Sequence, residues 1–203
     1  MLGPLTDLRA VLFDLDGTLV ETHIDFPAMT RAMRDMAHKA GIADSAIAGQ
    51  DILGIVAVVA NEIQAHGGDG IAFISEAHAK LQAMEVLGCA SPNLLPGSDT
   101  LLARLVSAGT RVGIVTRNCR AVSVCLLARF ALPHHLLLTR DDVTRAKPHP
   151  DHLWDALRLL ACPPSDAAMV GDHPMDIQAG RAAGCRLTRS PSVRPRRHSP
   201  RTR

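Results

Sequence analysis

Residues 8–20 read LRAVLFDLDGTLV and carry the strongest fold signal in the chain. Five of the first seven residues are apolar, and the run then meets Asp-x-Asp-Gly-Thr, which predicts a buried strand that ends in a tight turn. Similar apolar runs follow at 111–116, 136–139 and 167–172, with a weaker one at 185–188. Since helical patterns separate these runs, the sequence predicts a parallel sheet covered by helices on both faces.

The segment between the first two predicted strands has a different character. Residues 22–95 show helical periodicity with no convincing strand, so we expect an all-helical cap domain inserted after the first strand. The flanking segments, 1–21 and 96–189, would form an α/β, Rossmann-like core domain. Residues 190–203 are rich in arginine and proline and nearly free of apolar side chains, which predicts a disordered basic tail.

The composition disfavours several classes of function. Aromatic residues make up 2% of the chain, so the stacking surfaces of single-strand binders are missing and we expect no nucleic-acid partner. Of the 22 Lys and Arg residues, seven lie in residues 186–203. The rest of the chain therefore holds 15 basic and 20 acidic residues and carries a negative net charge. No apolar run approaches the roughly 18 residues of a membrane span, and no signal-peptide pattern is visible, so we expect a cytoplasmic protein without membrane contact.

Polar side chains that carry chemistry follow four successive predicted strands. In an open α/β sheet the carboxyl ends of the strands form the edge where ligands bind, so these side chains are expected to meet there. Each motif alone is an ordinary turn or surface pattern, and their joint placement is what indicates a site. The residues are Asp14, Asp16 and Gly17 after the first strand, Thr116, Arg117 and Asn118 after the second, Lys147 in a proline turn, and Asp172 and Asp176 in the last loop.

These motifs resemble the haloacid dehalogenase superfamily of aspartate-dependent phosphohydrolases, in its helical-capped branch near the phosphoglycolate phosphatases. The resemblance covers about residues 9–188. It implies that Asp14 is the nucleophile and that Asp16 is the general acid and base. Thr116 and Lys147 would hold the transferred phosphoryl group.

The resemblance also implies a magnesium site. Its ligands would be the Asp14 carboxylate, the Asp16 backbone carbonyl and the Asp172 carboxylate, with Asp176 supporting Lys147 or the metal. The charges support a cation independently, because four carboxylates beside one ammonium group would repel a phosphate dianion. Ligation by oxygen alone favours Mg²⁺ over Zn²⁺, which prefers His or Cys ligands.

Three further residues are candidates for phosphate binding. Gly17 lies in the first turn, and Arg117 and Asn118 precede a helix whose N-terminal amides can bind an anion. Relatives usually have Thr-Asn at this second motif, whereas this chain has Thr-Arg-Asn. Arg117 therefore either adds a phosphate or substrate contact or faces solvent.

The leading interpretation is a Mg²⁺-dependent phosphatase that hydrolyses a small phosphorylated metabolite, phosphoglycolate-like or a sugar phosphate, through an aspartyl phosphate. The cap favours a small substrate, since a helical lid excludes macromolecules. A phosphomutase of the same family is an alternative. A non-enzymatic phospho-acceptor or partner-binding module is another, although receivers lack the second aspartate and the cap. We expect a monomer or a homodimer.

Overall fold

The computed structural model describes residues 8–189, and the tail expected at 190–203 lies outside the described residues. The chain forms two compact units. Residues 23–91 make up one unit, which we call the cap. Residues 8–22 and 92–189 make up the other unit, which we call the core.

Seven strands and seven α-helices lie within residues 8–189. The strands are β1 (Ala10–Phe13), β2 (Val20–Glu21), β3 (Asn93–Leu94), β4 (Arg111–Val115), β5 (Leu136–Leu138), β6 (Ala167–Gly171) and β7 (Arg186–Arg189). The helices are α1 (Phe26–Lys39), α2 (Ile52–Ala65), α3 (Gly70–Gly88), α4 (Ser98–Ser107), α5 (Arg120–Arg129), α6 (Asp151–Leu159) and α7 (Pro174–Ala183).

The main sheet of the core has five parallel strands in the order β5-β4-β1-β6-β7. All four residues of the central strand β1 are buried, and its neighbours β4 and β6 are each buried at four of five positions. Such continuously apolar strands need cover on both faces, which helices supply. The predicted Rossmann-like parallel sheet is confirmed.

Helices of the core pack against this sheet through regularly spaced apolar residues. Along α6 the buried positions are 152, 153, 156 and 157, the spacing of one helix face. Leu153 and Leu157 join Leu12 and Met169 of adjacent strands in one buried cluster, together with Ala179 of α7. Burial of each large apolar side chain contributes about 1.5–3 kcal/mol, so this cluster fixes the layers on which the site is built.

The strand register aligns the loops that carry the polar motifs. Phe13 at the end of β1 pairs with Ile114 of β4 and Val170 of β6. The residues that follow these three strand positions therefore leave the sheet at the same edge. Asp14 is the first of them, and its N–H donates to the Val170 carbonyl at 2.9 Å.

The cap consists of α1, α2 and α3, and each of these helices begins at an aspartate. Asp25, Asp51 and Asp69 accept hydrogen bonds from backbone N–H groups in the first turn, at 2.8, 2.9 and 2.9 Å. Such N-caps satisfy amides that have no partner within the helix. Met29 and Met33 lie in the buried apolar cluster of these helices. The predicted all-helical insertion is confirmed.

One short element differs from the sequence prediction. The sequence prediction places residues 93–94 in the helical insertion, but they form β3, which pairs antiparallel with β2 in the core. Two-residue strands carry too little periodicity to be recognised in a sequence. Among residues 8–189, no helix combines the length and the apolar character needed to cross a bilayer.

Candidate active site

The turn after β1 brings two aspartates to the edge of the sheet. Asp14 continues the pairing of β1 with β6 by one residue, and Asp16 follows two positions later. The Oδ1 atom of Asp16 accepts a hydrogen bond from the Thr22 N–H at 3.1 Å. Gly17 has a φ of +82°, where a side chain would be strained. The Asp-x-Asp-Gly-Thr pattern therefore forms the tight turn predicted from the sequence.

Lys147 lies in the connection between β5 and α6, and its side chain is 2% exposed. Its Nζ atom donates to Asp14 Oδ1 at 2.8 Å and to Asp176 Oδ1 at 2.7 Å. Hydrogen bonds between ionised partners are about twice as strong as neutral ones. The ammonium group is therefore fixed between two carboxylates that come from different strand ends.

Burial and charge act against each other on these groups. Burial raises the pKa of Asp14 to about 7, while the ammonium of Lys147 opposes the rise and the carboxylate of Asp176 adds to it. Burial also acts to lower the pKa of Lys147, but the two carboxylates outweigh it and raise that pKa above its ordinary value. The ionised state of Asp14 therefore depends on positive charge beside it.

The other two carboxylates follow β6: Asp172 lies in the loop, and Asp176 lies in the first turn of α7. Asp176 uses both of its oxygens, because Oδ1 accepts from Lys147 and Oδ2 accepts from the His173 N–H at 3.0 Å. Asp172 accepts a hydrogen bond from the Thr18 hydroxyl at 3.3 Å. A Cβ atom at Gly171 would overlap the carboxyl group of Asp176, so a side chain there would displace it.

Three of these carboxylates lie close enough to hold one metal ion. Asp14, Asp172 and Asp176 each offer an oxygen within 4.8 Å of the others. A Cβ atom at Gly17 would lie 2.6 Å from Oδ2 of Asp172, so only glycine leaves this carboxylate in place. The donor set consists of oxygen atoms and suits Mg²⁺. The Asp16 carboxylate is not part of this group, and metal ligation by its backbone carbonyl stays a prediction.

The segment after β4 carries the second motif. The N–H of Thr116 donates to the Leu138 carbonyl at 3.0 Å, and its hydroxyl oxygen accepts from the Asn118 N–H at 3.2 Å. The side-chain nitrogen of Asn118 is buried and has no hydrogen-bond partner among residues 8–189, so it is available to an anion. The guanidinium of Arg117 contacts the Met175 thioether in the first turn of α7.

The structure thus joins Asp14, Lys147, Asp172 and Asp176 by direct contact or close approach. Asp16 and Gly17 lie on the adjoining turn. The segment 116–118 follows β4, the strand beside β1, at the same edge of the sheet.

Sequence reasoning missed three residues that support this site. Gly171 leaves room for Asp176, and its position just before an aspartate at a strand end was the available signal. His152 is fully buried, and its Nδ1 accepts from the Lys147 N–H at 3.3 Å. Arg140 is buried as well, and its guanidinium donates to the Arg117 carbonyl at 3.1 Å. A histidine in an apolar helix face does not indicate such contacts in a sequence, and neither does an arginine that follows a strand.

Three curated relatives are phosphatases. Hexitol phosphatase A from Escherichia coli (strain K12) is 31% identical over 88% of this chain and 81% of that protein. Phosphoglycolate phosphatase from Xylella fastidiosa (strain 9a5c) is 35% identical over 87% of this chain and 77% of that protein. N-acetylmuramic acid 6-phosphate phosphatase from Pseudomonas putida is 34% identical over 92% and 83%. The predicted enzyme class, a phosphoric monoester hydrolase, is confirmed.

Solved structures share the fold. A haloacid dehalogenase-like hydrolase from Bacteroides fragilis has a TM-score of 0.64 at 22% identity, covering 89% of this chain and 86% of that one. A mutant of CbbY from Rhodobacter sphaeroides, solved in complex with xylulose-(1,5)bisphosphate, has a TM-score of 0.60 at 26% identity, covering 95% and 90%. The sequence profile of the haloacid dehalogenase-like hydrolases matches residues 8–184. With nearly all of its described residues inside that match, the chain belongs to the haloacid dehalogenase-like hydrolase family.

Proposed function

We propose that this enzyme is a Mg²⁺-dependent phosphatase that hydrolyses a small phosphorylated metabolite through an aspartyl phosphate on Asp14. The observation that carries the proposal is the contact of the Lys147 ammonium with both Asp14 and Asp176 while Asp172 lies alongside. One cation among three carboxylates leaves a negative site, which would repel a phosphate dianion. A bound divalent cation would remove that repulsion and stabilise negative charge on the phosphoryl oxygens.

The residues of the chain divide the chemistry between them. A carboxylate oxygen of Asp14 attacks phosphorus, and the bond from phosphorus to the ester oxygen breaks. Asp16 gives its proton to the departing alkoxide, so the first product leaves as an alcohol. Asp16 then takes a proton from water as the water oxygen attacks the phosphorus of the aspartyl phosphate. This second displacement releases inorganic phosphate and restores the Asp14 carboxylate.

Positive and hydrogen-bonding groups are proposed to hold the phosphoryl group during both displacements. Lys147 supplies an ammonium, Thr116 a hydroxyl, and Asn118 an amide nitrogen that has no partner within the described residues. Such groups stabilise the transition state most strongly where negative charge develops on the phosphoryl oxygens, in a site with little water. Arg117, which lies between Thr116 and Asn118, and Gly17, which lies in the turn that follows Asp16, are proposed as further phosphate contacts.

The substrate class is proposed to be a phosphate monoester of a small sugar, sugar alcohol or hydroxy acid. Support comes from the relatives, whose names specify a hexitol phosphate, phosphoglycolate and an amino-sugar phosphate as substrates. A cap of three helices suits a small substrate.

The function is tested by assaying the purified protein against a panel of phosphate monoesters, first with Mg²⁺ and then with EDTA. We expect phosphate release that stops on chelation and returns with added Mg²⁺. Unchanged release in EDTA, or recovery with Zn²⁺ alone, would contradict the metal assignment. Transfer of phosphate to a second sugar instead of to water would identify a phosphomutase.

A further inference from the structure

Arg140 is a buried arginine to which the proposed mechanism gives no task. It follows β5 by two residues, and its side chain is 2% exposed. The Nη1 atom donates to the Arg117 carbonyl at 3.1 Å, and the backbone N–H of Arg140 lies 3.4 Å from the Asn118 carbonyl. Burial of a guanidinium costs several kcal/mol unless it is paired and hydrogen-bonded. Its contacts with the segment 116–118 are therefore part of what holds Arg140 in place.

The turn that carries Arg140 is itself held in position. Residues 140–142 form one turn of 3₁₀ helix, capped by the reciprocal hydrogen bonds of Thr139 and Asp142. Asp141 accepts the backbone N–H of Arg120 at 2.8 Å, and the guanidinium of Arg120 lies 2.6 Å from Asp142. This turn is therefore joined to the start of α5 at several points and provides a fixed support for the Arg140 guanidinium.

One peptide group connects Arg140 to the Thr116 hydroxyl. The peptide between Arg117 and Asn118 is planar and trans, so its carbonyl and its N–H point in opposite directions. Arg140 holds the carbonyl, and the N–H on the other side donates to Thr116 Oγ1 at 3.2 Å. Since this bond occupies the hydroxyl oxygen as an acceptor, the hydroxyl hydrogen remains to be donated elsewhere.

We propose that Arg140 is a positioning residue that aims the Thr116 hydroxyl at the phosphoryl group through the Arg117–Asn118 peptide. The inference rests on the proposed phosphatase function, because it explains how one of the phosphate-binding groups of that site is oriented. We assign Arg140 no direct contact with substrate or metal. Its effect therefore depends on the hydroxyl of Thr116.

A double-mutant cycle with Thr116 tests this dependence. Arg140→Met removes the hydrogen bonds of the guanidinium at similar volume, and Thr116→Val removes the hydroxyl at similar shape. We expect Arg140→Met to lower kcat/KM for p-nitrophenyl phosphate by about 10- to 100-fold, since small misplacements of a binding group cost that much. In the Thr116→Val background, Arg140→Met should lower kcat/KM by less than about twofold, because the effects of two coupled residues are not additive.

Arg145→Met is the matched control. It removes a guanidinium from the connection between β5 and α6 that also carries Arg140, but the described contacts of the Arg145 side chain are with Asp151 of α6 and not with residues 116–118 or 139–142. We expect it to change kcat/KM by less than about threefold in either background. Equal losses from Arg140→Met with and without the Thr116 hydroxyl would overturn the inference, since they would show a general structural effect.

A replacement variant and a binding measurement complete the experiment. If Arg140→Met does not fold, as judged by circular dichroism, Arg140→Lys takes its place in the cycle, and the same additive outcome would overturn the inference. The cycle is also run on the binding of inorganic phosphate by titration calorimetry, which needs no turnover. If the unmutated protein binds phosphate but hydrolyses no monoester, the proposed function fails, while coupling in the binding cycle would still support the role of Arg140.

Discussion

The Nζ atom of Lys147 lies 2.7 Å from Oδ1 of Asp176, and both side chains are 2% exposed. A buried charge without a partner is strongly destabilising, so each of these residues needs the other. Lys147 has a second partner in Asp14, 2.8 Å away, and that carboxylate is the proposed nucleophile. Asp176 therefore lets Lys147 remain charged in the site without relying on Asp14 alone.

Asp176→Asn should cost stability, whereas Asp172→Asn should not. Asp176 accepts from Lys147 with one oxygen and from the His173 N–H with the other, and an asparagine has one acceptor for these two donors. We expect the free energy of unfolding to fall by about 3 kcal/mol, measured by urea denaturation. Asp172 is half-buried and accepts one long bond from Thr18, so Asp172→Asn should change it by less than about 1 kcal/mol.

Both variants should lose most phosphatase activity, because each removes a carboxylate of the proposed metal group. Asp172→Asn is thus expected to separate activity from stability, while Asp176→Asn reduces both. Similar stability losses in the two variants would show that the Lys147–Asp176 pair contributes nothing special to the fold.

Gly17→Ala should abolish activity for a reason distinct from backbone strain. The new Cβ atom would lie 2.6 Å from Asp172 Oδ2, so the carboxylate must move away from the proposed metal group. Gly97→Ala is the matched control. Gly97 has a φ of +83°, nearly the same as the +82° of Gly17, but no atom lies within 4 Å of the added Cβ. Both changes should cost about 1–2 kcal/mol of stability from strain, but only Gly17→Ala should lower kcat/KM. Equal activity in the two variants would contradict the assignment.

The sheet was predictable because buried parallel strands are continuous apolar runs. β1, β4 and β6 stand out for this reason, and the motifs that follow them could be placed at one edge by the general behaviour of α/β sheets. The direct contact of Lys147 with Asp14 required the structure, because residues 133 positions apart carry no local signal of contact. The contact of Asp176 with Lys147 was one of the two roles that the resemblance implied for Asp176, and the structure places these two groups 2.7 Å apart.

Residues that act through backbone contacts were the least predictable. Arg140 and His152 each bond to the backbone of a motif residue, and a backbone group gives no sequence signal for its partner. Gly171 and Gly17 make room for carboxylates that lie near them only in the folded chain. Such residues become visible once distances are known.

Stability should fall below neutral pH because His152 is buried as the neutral imidazole. Burial, together with the nearby charge of Lys147, lowers its pKa to about 3, with Arg117 acting in the same direction and Asp142 in the opposite one. The unfolded chain binds the proton near pH 6.5, so it gains protons first as the pH falls from 6.5 towards 3. Between pH 7 and pH 5 this linkage removes about 2 kcal/mol from the free energy of unfolding.

His152→Asn keeps an acceptor for the Lys147 N–H but cannot titrate, so it is the control for this effect. We expect urea denaturation at pH 7 and pH 5 to give a smaller loss in this variant than in the unmutated protein, by about 2 kcal/mol. Identical losses in the two proteins would assign the acid sensitivity to other groups.

Asp14→Asn should reduce phosphatase activity to background, because an amide cannot form the covalent intermediate. No phosphorylated protein should then be found by mass spectrometry after acid quench with any substrate. The Asp14 carboxylate also pairs with Lys147, so thermal unfolding of the variant is measured alongside to show that it is folded. Activity above one tenth of the unmutated level in a folded variant would exclude Asp14 as the nucleophile.

Asp16→Asn should have an effect that depends on the leaving group. An alkyl phosphate releases a strongly basic alkoxide that needs a proton from Asp16, whereas p-nitrophenolate needs little protonation. We therefore expect loss of about 100-fold or more for an alkyl phosphate and a much smaller loss in the phosphorylation step for p-nitrophenyl phosphate. Because the same carboxylate activates water in the second displacement, the phosphoaspartate on Asp14 should accumulate in this variant and be detected after acid quench. Equal losses for both leaving groups without a trapped phosphoenzyme would contradict the role of Asp16 as acid and base, and a stable phosphoenzyme in the unmutated protein would favour a phosphomutase or phospho-acceptor.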